Sequence, residues 1–151
     1  MTQVSELKNM DSTAPDNLPH KLKKISSEFN ADYFIYAPDI LVVVPTPGYK
    51  DNAESARASV LWQQNFARNL GIRCGMVVVI SNLLTQDAEC RRIYSEAMLP
   101  ELFYGNALVV NSLLTRAIGS FFIGLSKPVI PLTLTESIEA GITWLENLKK
   151  S

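Results

Sequence analysis

CGMVVVISNLLTQDAECRRIYSEAMLPELFYGNALVVNSLLTRAIGSFFIGLSKPVIPLTLTESIEAGITWLENLKK, residues 74–150, decides the fold. It contains three apolar runs, 74–81, 106–111 and 128–135, each followed by a run with helical spacing. CGMVVVIS is apolar almost throughout, as a strand must be when both faces of a parallel sheet are covered. Beyond a short loop, Cys90, Ile93, Tyr94 and Ala97 recur at i, i+3, i+4 and i+7, with Glu89, Arg91, Arg92 and Glu96 opposite them. That spacing predicts an amphipathic helix over 86–98. Pro100 ends it, PELF makes one further turn, and NALVVN is the next strand. Residues 112–124 read as a helix with apolar side chains over most of its surface, and Gly119 inside it points to a close backbone approach. Pro128 and Pro131 place the last strand near a sheet edge. In the final helix, 136–149, Ile138, Ile142, Leu145 and Leu148 form one stripe, with Thr135 as expected cap and Lys149 and Lys150 suited to its C-terminus.

Upstream, DYFIYAPDILVVVP reads as two strands, 32–36 and 40–45, joined around Pro38-Asp39 and therefore antiparallel. KLKKISSEF, 21–29, fits either an edge strand or a helical turn. A helix over 51–70 follows, with Asp51 or Asn52 as N-cap and Gly71 just past its end. Its apolar face carries Ala53, Ala56, Val60, Phe66, Ala67 and Leu70, and Trp62 stands at the edge of that arc. Residues 1–19, rich in Ser, Thr, Asp, Asn and Pro, are expected to form a flexible tail, and 20–151 a single domain. The order ββαβαβα, with right-handed crossovers, predicts an α/β fold. It is a single mixed sheet with a parallel βαβαβα C-terminal portion and helices packed against it.

Composition narrows the functional classes. Fourteen basic side chains stand against fifteen acidic ones, for a net charge of −1, so no basic excess draws in nucleic acid or an anionic membrane. No run reaches the length of a membrane span and the N-terminus has no signal-peptide character, which makes the cytoplasm the expected compartment. Cys74 and Cys90 lie at core positions without CxxC spacing, and His20 is the sole histidine, so neither a metal site nor a His-dependent nucleophile is expected. No phosphate-binding glycine loop, nucleophile elbow or zinc-binding helix pattern occurs. No cofactor and no catalytic residue is assigned.

What remains is the carboxyl edge of the parallel strands, where open α/β sheets bind ligands. Ser81, Asn82, Thr85 and Gln86, together with Asn111 and Ser112, would line that edge as a rim of hydroxyls and amides, with Thr133 and Thr135 beside them. Free helix N–H groups there would suit an anion or a phosphorylated side chain, though the same residue types also serve as ordinary helix caps. Trp62, Phe121 and Phe122 mark a second candidate, an interface or apolar groove beside the 112–124 helix. Cover for that helix would come from its neighbour, a second protomer or an apolar ligand.

These residues also carry a resemblance. The helix with Ala88, Arg91, Arg92 and Tyr94 and the tail with Arg116, Gly119, Phe121-Phe122, Lys127-Pro128, Pro131 and Trp144-Leu145 make residues 31–149 similar to bacterial SpoIIAA-like domains, also labelled STAS/SEC14-like. The resemblance implies a SpoIIAA-like fold. It also implies a small regulatory or binding domain. With no catalytic motif present, the expected function is a non-enzymatic regulatory or protein-interaction module with an unknown protein partner, self-associating as a homodimer through the apolar 112–124 helix. STAS relatives act as anti-sigma factor antagonists switched by phosphorylation of a serine in an Asp-Ser pair at a helix start. The matching stretch here is Thr85-Gln86, before Asp87, so that serine is displaced in this chain. SEC14-type relatives bind lipids, which makes a small-molecule or lipid-binding domain with a groove near 112–124 the alternative.

Overall fold

The β-branched runs ILVVVP and CGMVVV lie side by side at the middle of one sheet. The computed structural model describes residues 22–28, 30–36, 38–80, 88–110 and 129–150. In chain order these hold β1 (Lys23–Glu28), β2 (Ala31–Tyr36), β3 (Ile40–Pro45), α1 (Ala53–Leu70), β4 (Cys74–Val79), α2 (Ala88–Ser95), β5 (Phe103–Val109), β6 (Leu132–Thr135) and α3 (Ile138–Lys150). The strands are hydrogen-bonded in the order β1-β2-β3-β4-β5-β6. β1, β2 and β3 are antiparallel neighbours, and β3 through β6 run parallel. This is an α/β fold with one mixed sheet and helices packed on it, as the alternation of strand and helix patterns required.

The ambiguous 21–29 run resolves as the edge strand β1. Among the described strands it pairs only with β2, and its register slips between Lys24 and Ser26. Exposed lysines and a bulge are the usual means of blunting an open edge against further pairing. At the opposite edge lies the four-residue β6, preceded by Pro131, in keeping with the restriction of proline to edges. Strand β5 begins at Phe103, three residues earlier than its apolar run implied. Cys74 faces Phe103 and Gly75 faces Gly105, which leaves Tyr104 as an extra residue in a bulge.

Strand pleating divides the core between the two faces. Leu41 and Val43 of β3 and Met76 of β4 point toward α1, while Val42, Val77 and Val79 belong to the cluster under α3. Successive right-handed crossovers put α1 and α2 on one face, and α3, which follows the last strand, occupies the other.

Asn52 caps α1: its side chain accepts from the Ser55 backbone N–H at 2.9 Å, and the Ser55 hydroxyl accepts from the Asn52 N–H at 2.9 Å. Gly71, at φ 81°, closes the helix. For α3 the cap is Ser137, whose Oγ accepts from the Ala140 N–H at 3.0 Å, and not the expected Thr135. The Thr135 carbonyl accepts from the Val110 N–H at 2.9 Å, so that residue is still held in the sheet. The expected 112–124 helix lies outside the described residues, and the expected 128–135 strand begins only at Leu132, since Val129 and Ile130 form a bend before Pro131.

Candidate functional site

Three strands end level at the carboxyl edge. Val79 of β4 is paired with Val109 of β5, and Val109 with Thr135 of β6. The rim residues Ser81, Asn82, Thr85, Gln86, Asn111 and Ser112 follow the first two of these ends in sequence and lie outside the described residues, as do Phe121 and Phe122. Of the proposed site residues, Trp62 is described. It is half-buried, with its ring stacked on Tyr33 at 3.9 Å and on Phe66 at 5.6 Å between centroids. A face-to-face arrangement of three rings secures α1 over β2.

Beneath the first two turns of α1, on the same half of the sheet, lies a polar cluster that the sequence patterns did not single out. Asp51 accepts from the Ser55 hydroxyl with one oxygen and from the Tyr94 phenol with the other, at 2.5 Å. One turn on, the Tyr33 phenol and the Ser59 hydroxyl are hydrogen-bonded at 2.9 Å, and the Gln63 amide donates to Ser59 at 3.1 Å. Asn30 adds a 3.4 Å bond from its amide to the Ser55 carbonyl. Ser55, Ser59 and Gln63 recur every fourth residue on the buried side of α1. That spacing was visible in the sequence, but the apolar residues sharing the arc masked it.

Chemically the cluster acts as a clasp. Burial pushes the Tyr94 phenol above its ordinary range, and the hydrogen bond to Asp51 adds to the effect. Burial also raises Tyr33, against the opposing effect of Ser59 and Gln63. Both phenols are thus kept neutral, Tyr94 donates to Asp51, and Asp51 has a partner on each oxygen. Tyr94→Phe should cost about 1.5 kcal/mol, near the lower end for a hydrogen bond to a charged group because Asp51 is only half-buried. Urea unfolding would measure it, and an unchanged midpoint would show that the phenol–carboxylate bond is dispensable.

At the opposite, amino edge lies a second cluster. Asp39, in the turn before β3, is buried and ion-paired with Lys149 near the end of α3 at 2.6 Å. The Lys149 ammonium stands 5.8 Å from the Tyr104 ring centre, and the buried Tyr104 hydroxyl has no hydrogen-bond partner among the described residues. Cys74 begins β4 on this edge, and burial pushes its thiol up to about 12. Tyr104 is raised likewise, by burial first and then by Asp39.

A pH dependence follows. Cys74, Tyr33, Tyr94 and Tyr104 all hold their protons more tightly folded than unfolded. Their contribution to stability is complete below the unfolded values, 9.0 for the thiol and 10.0 for the phenols. It declines as pH rises toward the folded values, since the unfolded chain then binds fewer protons. Stability should therefore begin to fall above pH 9, with each fully ionised group contributing a slope of about 1.4 kcal/mol per pH unit. Urea midpoints at pH 8, 10 and 11 would show the decline. A flat profile would mean these groups are as accessible folded as unfolded.

Among the described residues no group of three or more His, Cys, Asp or Glu side chains is placed to hold a metal ion, and no helix is long and apolar enough to cross a membrane. Comparison with curated proteins finds no match. A family model described as a domain of unknown function, DUF7793, matches residues 34–149. Since that span runs from within β2 to the last turn of α3, the chain belongs to the DUF7793 family.

Proposed function

We propose that this domain is a non-enzymatic regulatory or protein-interaction module of SpoIIAA-like fold, self-associating and acting through a protein partner. The observation that carries the reading is the closed state of the Asp51 cluster. Its carboxylate is the acidic group gathered with hydroxyls at the carboxyl half of the sheet, and both of its oxygens are committed to Tyr94 and Ser55. Neighbouring phenols are shifted away from ionisation, which is opposite to what an acid–base or nucleophilic role needs. Such a network stiffens a surface and leaves its outer side for recognition. The resemblance to STAS domains supports a regulatory role. The level ends of β4, β5 and β6 support placing recognition at the rim that begins at Ser81 and Asn111.

Native mass spectrometry of the full chain at micromolar concentration tests this reading. The expected result is a dimer without added mass. A monomer at every concentration would remove the self-association. A protomer carrying a stoichiometric apolar compound would replace the reading with the lipid- or small-molecule-binding alternative.

A further inference from the structure

Strand β1 ends the sheet, and no described residue bonds the backbone N–H and C=O groups on its outward side. Lys23, Lys24, Ser27 and Glu28 are exposed along it. The bulge fixes which face each side chain takes. Tyr33 and Ala31 point toward α1, and their partners Ser26 and Glu28 share that face. Ile35, two residues beyond Tyr33, lies on the same side and places Lys23 there. Ile25, the extra residue of the bulge, packs against the same cluster. Lys24 and Ser27 point the other way, where both reach Asp32, at 3.5 and 2.7 Å.

From Lys23 to Glu28 the side chains therefore run toward α1, away, toward, toward, away, toward. That order is the same read from either end. In a strand without a bulge Lys23 and Glu28, an odd number of residues apart, would lie on opposite faces.

We propose that β1 pairs antiparallel with β1 of a second copy of this chain, about a two-fold axis between Ile25 and Ser26, so that one sheet continues through both copies. Each residue then meets one on its own face: Lys23 the partner's Glu28, Lys24 the partner's Ser27, and Ile25 the partner's Ser26. Charge selects this arrangement. Lys23 has no ion partner among the described residues, and Glu28 accepts from the Ser26 hydroxyl at 2.6 Å but holds no cation there. The pairing supplies both missing ions, and the symmetry supplies them twice. Opposite charges directly across a ladder stabilise it and like charges oppose it. A parallel copy in register would instead set lysine against lysine and glutamate against glutamate. The two Ile25 side chains meet beside the axis and add an apolar contact. Lysines and a bulge thus blunt this edge against an arbitrary strand while admitting its own reversed copy. So short an edge makes a small interface, and the dimer is reversible and sensitive to salt. The edge pairing rests on the self-association proposed above and gives it a surface other than the apolar 112–124 run.

Sedimentation velocity of the full chain across a concentration series tests it, with charge reversals at the two ends of β1. Lys23→Glu and Glu28→Lys each set like charges across both ends of the ladder. Each alone should raise the dimer dissociation constant about tenfold or more at low salt. An equimolar mixture of the two variants should recover the wild-type affinity as a mixed dimer, because opposite charges then face each other at both ends. Both sites are exposed, so urea midpoints should match the wild type. A wild-type dimer that neither reversal weakens, or a weakening that the mixture does not reverse, would overturn the β1 pairing and leave self-association standing. A wild-type chain that stays monomeric throughout would remove both.

Discussion

Gly105→Val should destabilise the domain by about 3 kcal/mol or more, at the upper end of what overpacking a core costs. A Cβ placed on Gly105 would lie 2.7 Å from the Leu148 Cδ2, 2.9 Å from the Leu145 Cδ2 and 3.4 Å from the Trp144 Cζ3. None of the three can yield freely. Leu145 is fully buried in α3, and the β5 backbone is held by its register with β4, where Gly105 faces Gly75 across the Tyr104 bulge. Gly75 is under similar constraint, since a Cβ there would come within 2.8 Å of the Tyr104 hydroxyl. Paired glycines on neighbouring strands therefore make room for one tyrosine and for the helix above it. The sign of the effect is diagnostic. Valine is favoured over glycine in an unobstructed strand, so without the helix the substitution should stabilise. Gly105→Ala should cost less, about 1–2 kcal/mol, because a methyl group adds less volume than the valine side chain. Adding Leu148→Ala to Gly105→Val should recover part of the loss. Urea unfolding followed by tryptophan fluorescence reads all three variants, and a stabilised Gly105→Val would mean that α3 does not lie on β5.

Legibility in the sequence follows the range of each interaction. Periodicity is local, so the helices carrying Cys90 and Ile93, and Ile142 and Leu145, were readable, as were the central strands 40–45 and 74–79. The parallel direction of the later strands follows from right-handed crossovers of that length, which are a general rule, whereas their order in the sheet is not in the sequence pattern. The bulge at Tyr104 was not readable, because it arises from how β5 must fit beside Gly75 and beneath α3. The Asp51 cluster is half readable: Ser55, Ser59 and Gln63 share a buried arc, but Tyr33 and Tyr94 read as apolar side chains of a strand and a helix. Trp62, read as an interface or groove residue, has much of its ring engaged by Tyr33. Nothing local could have joined Asp39 to Lys149. Each already had a sufficient local reason to exist, one as a turn residue and the other as a cation at a helix C-terminus.

That last pair carries the second large effect. Asp39 has a side chain 5 % exposed, and its backbone carbonyl accepts from the Gly75 N–H at 2.8 Å, so the turn is anchored independently of the ion pair. Lys149, by contrast, is 46 % exposed along its side chain and keeps access to water. The two ends of the bond should therefore respond unequally. Lys149→Met leaves a buried carboxylate without its cation. Breaking a fully buried pair costs about 3–5 kcal/mol, and the exposure of the lysine lowers the expectation here to about 2 kcal/mol. Asp39→Asn leaves an ammonium that can turn to solvent, at a cost of about 1 kcal/mol. In the double variant the uncompensated charge is gone, so its loss should be smaller than the sum, with a coupling of about 1–2 kcal/mol in a double-mutant cycle. Because the carboxylate is shielded from ions, that coupling should persist at salt concentrations that abolish the exposed Arg57–Glu89 pair. A coupling near zero, or one that vanishes with salt, would show that Lys149 is merely solvated there. The hold on α3 would then rest on the apolar packing of Ile138, Ile142 and Leu145 against the sheet.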